Sequence, residues 1–183
     1  MIVAILRLYD EHTRAADVVA ALRKAGLAEQ DITILTRDDR VTGAARGAEI
    51  GAAVGGLAGL LTGLGLIAIP GIGPAVATGW LAATAAGAAA GGLAGGALGV
   101  IAQVGVSGEE AHEIAECLRR GATLVAARVP EEERARFEAI LAPGAIDLDV
   151  RIAAYRQAGW RAFDQDAAPL TAQELKRERD RHR

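Results

Sequence analysis

Residues 43–106 read GAARGAEIGAAVGGLAGLLTGLGLIAIPGIGPAVATGWLAATAAGAAAGGLAGGALGVIAQVGV. No charged side chain occurs between Glu49 and Glu109. Glycine recurs at every fourth position, at Gly43, Gly47, Gly51, Gly55, Gly59 and Gly63. After Ile-Pro-Gly-Ile-Gly-Pro (Ile69 to Pro74) the spacing returns at Gly79, Gly87, Gly91, Gly95 and Gly99, with Ala83 in the one gap. A four-residue spacing aligns positions along one ridge of a helix, so the stretch predicts two glycine-ridged helices joined by a Pro/Gly turn. Glycine inside a helix costs roughly 1 kcal/mol relative to alanine, a cost that close backbone approach offsets in small-xxx-small packing. At about 100° per residue, each step of four advances the ridge by roughly 40°. Five such steps wrap it through about 200°, which calls for a hairpin mate on one side and a neighbouring subunit on another. A low-complexity Ala/Gly linker is the alternative reading.

On the N-terminal side of this stretch, Ile2 to Tyr9 (IVAILRLY) has the β-branched, apolar character of a buried strand. Asp10 is placed to cap a helix carrying Ala15, Val18, Val19 and Leu22 on one face and ending at Gly26. Ile32 to Arg37 reads as a second strand. On the C-terminal side, Ser107 and Glu110 match a capping box for a helix with Ala111, Ile114, Ala115 and Leu118 on its apolar face. A third strand is expected at Ala122 to Val129, and a helix begins at Pro130 with the acidic run Glu131 to Glu133. Ile146 to Ile152 alternates, with Ile146, Leu148, Val150 and Ile152 inward and Asp147, Asp149 and Arg151 outward, which predicts a fourth strand. With the hairpin and the helix that follows it set aside, the expected fold is α+β, a ferredoxin-like βαβ-βαβ head whose sheet is covered by two helices on one face. The head is split over 1–42 and 107–152, with the hairpin inserted at 43–106. Residues 153–183 form a C-terminal arm, in which Trp160 and Phe163 can pack and Thr171 with Glu174 repeats the capping-box pattern before a short charged helix.

The chain has 183 residues, 51% hydrophobic but only 3% aromatic, so its apolar content is mostly Ala, Leu, Val and Ile. A net charge of −3 argues against non-specific nucleic-acid binding. The single cysteine, Cys117, excludes an internal disulfide framework and a cysteine-based zinc cluster. Arg7 interrupts the first apolar run, so no signal peptide is expected and a cytoplasmic face is the default. Ser107 lacks a Gly-x-Ser-x-Gly setting and is read as a cap. Cys117 is read as a packed structural thiol. Glu109, His112, Glu113 and Glu116 share one helix with Glu-x-x-His spacing, but the facing Ala/Gly helices offer no further carboxylates. The cluster reads as a solvated acidic face, and His12 and His182 are isolated. Gly71-Ile72-Gly73 lacks the Gly-Lys-Ser/Thr of a nucleotide loop, and Asp147 with Asp149 reads as a solvated sheet face. No catalytic, cofactor or metal site and no small-molecule substrate is identified.

Asp-Ile-Thr-Ile-Leu-Thr (31–36), the hairpin with its Ile-Pro-Gly-Ile-Gly-Pro turn, Glu-Glu-Ala (109–111) and Arg-Arg-Gly-Ala-Thr-Leu-Val (119–125) resemble the bacterial general stress proteins with the YflT-type, heat-induced domain. The resemblance covers about residues 1–152 and leaves the arm unassigned. It implies a stress-induced, non-enzymatic bacterial protein, often described as a membrane protein, and transfers no catalytic residue.

Three functions compete. In the first, the hairpin inserts into or associates with the membrane and self-associates: Ile50 to Ile69 is a 20-residue uncharged run, about the length that spans the hydrocarbon layer. Trp80 is then an interfacial anchor, both ends face the cytoplasm, and the basic end of the arm can touch anionic lipid. Weak insertion by Gly and Ala, and flanks without a strong positive excess, count against it. In the second, a soluble structural protein builds a large homo-oligomer through hairpin packing, since a lone hairpin exposes more apolar surface than monomers tolerate. The third is a ligand-sensing ferredoxin-like regulator, which rests on fold analogy alone.

Overall fold

The computed structural model describes residues 1–37, 64–69, 72–80, 98, 101, 106, 108–164 and 166–181. The protein is α+β, built on one antiparallel sheet. Its strands are β1 (Ile2–Tyr9), β2 (Ile32–Arg37), β3 (Leu64–Ile69), β4 (Gly73–Thr78) and β5 (Thr123–Pro130), in the order β1-β5-β2-β4-β3. Five α-helices are described, α1 (His12–Lys24), α2 (Gly108–Arg119), α3 (Arg134–Leu141), α4 (Leu148–Gln157) and α5 (Ala172–Arg181), with 3-10 turns at Glu29–Asp31 and Glu131–Glu133. Because β5 pairs antiparallel with both β1 and β2, those two run parallel on either side of it, joined by α1 in a split βαβ unit.

Helices cover both faces of this sheet: α1 and α3, the two helices expected on one face, share one, and α2 and α4 cover the other. The cause is β5, whose sequence Thr-Leu-Val-Ala-Ala-Arg-Val is apolar on both sides of its pleat. Val125, Ala127 and Val129 meet Val18 and Leu22 of α1 and Phe137 and Leu141 of α3. Leu124 and Ala126 meet Ala111, Ile114 and Leu118 of α2 and Ile152 and Tyr155 of α4. The Tyr9 hydroxyl donates to the carbonyl of Leu141, closing the end of α3 onto β1. Burial pushes that hydroxyl up to about 12, against a smaller lowering from Arg7.

The expected fourth strand is a helix. Ile146 makes one backbone bond to the β1 edge, its N–H donating to the Leu8 carbonyl at 2.7 Å, and α4 then begins. Asp147 is its N-cap, accepting the Val150 N–H at 3.1 Å. The apolar residues suit a helix as well as a strand: Leu148, Ile152 and Tyr155 recur at i, i+4 and i+7 and face the core, whereas Val150 stays 66% exposed. Arg151, expected outward, reaches Asp10 through two bonds of 2.8 Å. Asp10 is thus engaged with α4; the N-cap of α1 is Glu11, with no side-chain cap bond. The head–arm boundary drawn at residue 152 falls inside α4.

The centre of the Gly/Ala stretch also departs from its helical reading. Leu64–Ile69 and Gly73–Thr78 form a β-hairpin about the Pro/Gly turn, paired from Leu64↔Thr78 to Ile69↔Gly73. Pro70 and Pro74 each push the preceding residue out of the α region, and Ile67, Ile69, Val76 and Thr78 favour strand. Tertiary pairing completes the preference. β4 adds to β2 with Leu35↔Ala77, Thr36↔Val76 and Arg37↔Ala75, and Ala75 and Ala77 are buried in the core. Gly79 lies in the turn that leaves β4, at φ +72°. A Cβ there would sit 2.2 Å from the Ile32 carbonyl oxygen and 2.7 Å from Thr33 Oγ1. This glycine therefore serves a close backbone crossing and not a helix ridge. Gly43, Gly47, Gly51, Gly55, Gly59 and Gly63, and Gly87, Gly91, Gly95 and Gly99, lie outside the described residues, as does Ser107.

Candidate functional site

Of the nucleophile and metal candidates, Cys117 resolves into packing and Glu109, Glu113 and Glu116 into ion pairs, while the buried Nδ1 of His112 has no hydrogen-bond partner among the described residues. Cys117 is fully buried on α2, and burial pushes its thiol up to about 12. Glu109 and Glu113 both accept from Nη2 of Arg156 at 3.0 Å. Burial raises the Glu113 carboxyl; Arg156 lowers it and Glu109, Asp149 and Glu110 raise it further. Among the described residues no group of three or more His, Cys, Asp or Glu side chains is placed to hold a metal ion.

Glu116 does not belong to a solvated acidic face. It is 1% exposed and accepts Nε and Nη2 of Arg119 at 2.8 and 2.7 Å and Nε of Arg120 at 2.6 Å. One buried carboxylate thus orients two adjacent guanidiniums whose side chains are only 15% and 16% exposed. Arg120 also stacks over the Tyr155 ring at 4.0 Å and donates to Glu178 Oε1 at 3.1 Å. Burial works against the Arg120 charge, but the bonds and charges of Glu116 and Glu178 more than offset it, so its pKa is raised. Tyr155 is raised by burial and by Cys117, against lowering from a hydrogen bond to Arg151. A polar chain therefore runs from Asp10 through Arg151, Tyr155 and Arg120 to Glu116 and Glu178.

The arm closes over this chain. Leu175 of α5 is buried, and Phe163 joins the core while Trp160 packs against it. Thr171 and Glu174 form the reciprocal cap: Thr171 N–H and Oγ1 donate to Glu174 Oε2 at 2.7 Å, and Glu174 N–H returns to Thr171 Oγ1 at 3.4 Å. Arg37, the last residue of β2, donates to the backbone carbonyls of Arg119 and Leu170 and so ties the exit of the strand to the arm. Between α2 and α5 a groove of about 230 Å³ remains, lined by Arg119, Arg120, Arg177 and Arg181 with Leu170, Glu174 and Glu178. Arg177 and Arg181 belong to the basic end of the arm expected to touch anionic lipid, whereas nothing in the sequence brings Arg119 and Arg120 to them. Glu-x-x-Arg-Arg at 116–120 and Glu-x-x-Arg-Glu-x-x-Arg at 174–181 carry the i, i+3 and i, i+4 charge spacing that would have found them.

The second feature is the far edge of the sheet. β3 pairs with β4 on one side and, among the described residues, has no strand on its other side. Its six residues, Leu-Gly-Leu-Ile-Ala-Ile, carry no charge and no proline. The opposite edge differs: the carbonyls of β1 at Leu6 and Leu8 accept Arg7 Nη1 and Ile146 N–H, both at 2.7 Å. Trp80 is half-buried against the core on the α2 side of the sheet, with the Arg128 guanidinium 5.3 Å from its ring centre. Among the described residues no helix is long and apolar enough to cross a membrane. Comparison of the chain with protein-family models, curated proteins and solved structures found no match.

Proposed function

We propose that the protein is a non-catalytic, self-associating protein of the bacterial general-stress type, in which the uncharged insertion is the association element and a second copy is the partner. The observation that carries this reading is the β3 edge. An apolar strand without charge, proline or bulge is a template for pairing with another chain, and natural monomers guard such edges. Edge-to-edge pairing takes the place of the ridge-to-ridge helix packing expected between residues 64 and 78 and keeps the same consequence, polypeptide against polypeptide. The split βαβ unit of β1, α1 and β2 supports a head of partly ferredoxin-like order, and β4 and β3 of the insertion extend its sheet beyond β2.

The test is the mass of the full chain by light scattering, with Ile67→Lys and Leu66→Lys as variants on opposite faces of β3. A lysine on the edge is expected to lower the assembly mass while the head stays folded by circular dichroism. If both variants fold and keep the wild-type mass, edge pairing is not the mode of association. Contact with the cytoplasmic face of a membrane is the second reading, favoured by the uncharged run from residue 50 to residue 108. Retention on washed membranes through alkaline extraction supports it, and elution as a particle without detergent supports assembly.

A further inference from the structure

We propose that the groove between α2 and α5 binds a phosphate oxyanion, with Arg119, Arg120, Arg177 and Arg181 as its donors. The site involves no residue of β3 or β4 and goes beyond the association reading.

Four guanidiniums, from the end of α2, the turn after it and α5, converge on one groove of about 230 Å³, room for a tetrahedral oxyanion and its water. Each guanidinium has five N–H donors in a fixed fork. Arg119 spends Nε and Nη2 on Glu116, Arg120 spends Nε on Glu116 and Nη1 on Glu178, and Arg181 spends Nη1 on Glu178 at 3.4 Å. The remaining donors outnumber those used. The two acids in the lining are already turned to protein donors, Glu174 to Thr171 and Glu178 to Arg120 and Arg181. Around the groove four arginines meet three carboxylates, Glu174, Glu178 and Glu116 beneath, each already bonded to protein donors. The excess is positive, which selects an anion.

Preorganisation separates this groove from a solvated row of arginines. Buried Glu116 locks Arg119 and Arg120 in place, and the Tyr155 ring supports Arg120 from one side. The ordering cost of two long side chains is thus met during folding and not on binding. Guanidinium forks match the geometry of a phosphate and bind it through charge-assisted bonds. Arg177 is the diagnostic residue. It is exposed on α5 and faces the groove, and its interaction with Glu174 is electrostatic only. A clamp holding α5 to α2 would not need it, whereas an anion site would.

The same chemistry can come from free phosphate or from a lipid headgroup, and the experiment has an arm for each. Inorganic phosphate is titrated into the full chain at low ionic strength by calorimetry, and the chain is sedimented with phosphatidylglycerol or phosphatidylcholine vesicles. Arg177→Gln is expected to weaken binding by about tenfold, the loss of one charge-assisted bond, with the thermal midpoint in phosphate-free buffer unchanged. Phosphate binding without vesicle retention assigns a free anion. Retention on phosphatidylglycerol alone, reversed by inorganic phosphate, assigns a headgroup. Absence of binding in both arms, or binding that survives both Arg177→Gln and Arg181→Gln, overturns the proposal.

Discussion

Substituting Gly79 by alanine tests the turn that leaves β4. On a helix ridge the change adds a better helix former, worth roughly 1 kcal/mol, against any close backbone packing it disturbs. In the turn it only costs. At φ +72° an L-residue costs roughly 1–2 kcal/mol, and the added Cβ would lie 2.2 Å from the Ile32 carbonyl oxygen, which is backbone of β2 and cannot rotate away. Relief requires β4 to draw back from β2, loosening the bond from Ile34 N–H to Thr78 Oγ1 at 3.2 Å and the pairs from Leu35↔Ala77 to Arg37↔Ala75. The total is about 3 kcal/mol, of the order found for overpacking plus backbone strain. For a chain of this length that corresponds to a fall of about 6–12 °C in midpoint. Gly26→Ala is the control, since Gly26 has φ +96° and nothing within 4 Å of its Cβ position; it isolates the backbone cost without the clash. Differential scanning calorimetry of the three proteins reads the difference. Gly79→Ala equal to Gly26→Ala would remove the clash, and a raised midpoint would restore the helical reading.

Two further outcomes follow from the α2 network. Glu116→Ala leaves two half-buried guanidiniums without their shared carboxylate and is expected to cost about 3 kcal/mol in urea denaturation; a loss below about 1 kcal/mol would show that solvent replaces it. Cys117 is expected to resist a maleimide in the folded protein and react after denaturation. Its thiol and the Tyr9 hydroxyl are both raised to about 12, so each holds its proton more tightly folded than unfolded. Their contribution is full below the unfolded values of about 9 and 10 and is lost as pH rises toward about 12. Stability should fall across that window, and Cys117→Ala should flatten its lower part.

The fold was legible where one element's own period decided its structure. β1, α1, β2, α2 and β5 stand close to where their apolar spacing puts them, and the Thr171–Glu174 cap forms as its residues predict. It was illegible where two periods fit the same residues. Leu148 and Ile152 satisfy both alternation and a helical face, and the Asp147 cap and the Arg151 pair to Asp10 decide for helix. Between Leu64 and Thr78 the glycine phase pointed to helix while the prolines and β-branched residues pointed to strand, and the choice was made by β2, residues away in sequence. The arginine groove was hidden for a different reason. Glu116 looks solvated on its own helix, yet it is 1% exposed with Arg119 and Arg120 turned onto it, and Arg120 is held in turn by Tyr155 of α4 and Glu178 of α5.

The two edges of the sheet constrain what an assembly can be. Pairing β3 of one copy with β1 of the next would be head-to-tail and would propagate into rings or filaments. The β1 edge is poorly suited to that role, because Arg7 holds the Leu6 carbonyl and Ile146 holds the Leu8 carbonyl, a charged side chain and a covering segment of the kind that guards natural edges. The six residues of β3 carry no charge, and among the described residues no segment covers it. Antiparallel pairing of β3 with its own copy meets the same surface twice and closes on a two-fold axis. Edge pairing by itself therefore stops at a dimer. A larger particle requires a second contact surface; if the rest of the insertion supplies it, a truncation that keeps residues 64–78 but shortens the flanking Gly/Ala segments lowers the mass to two chains and no further, and an unchanged mass by light scattering refutes that role.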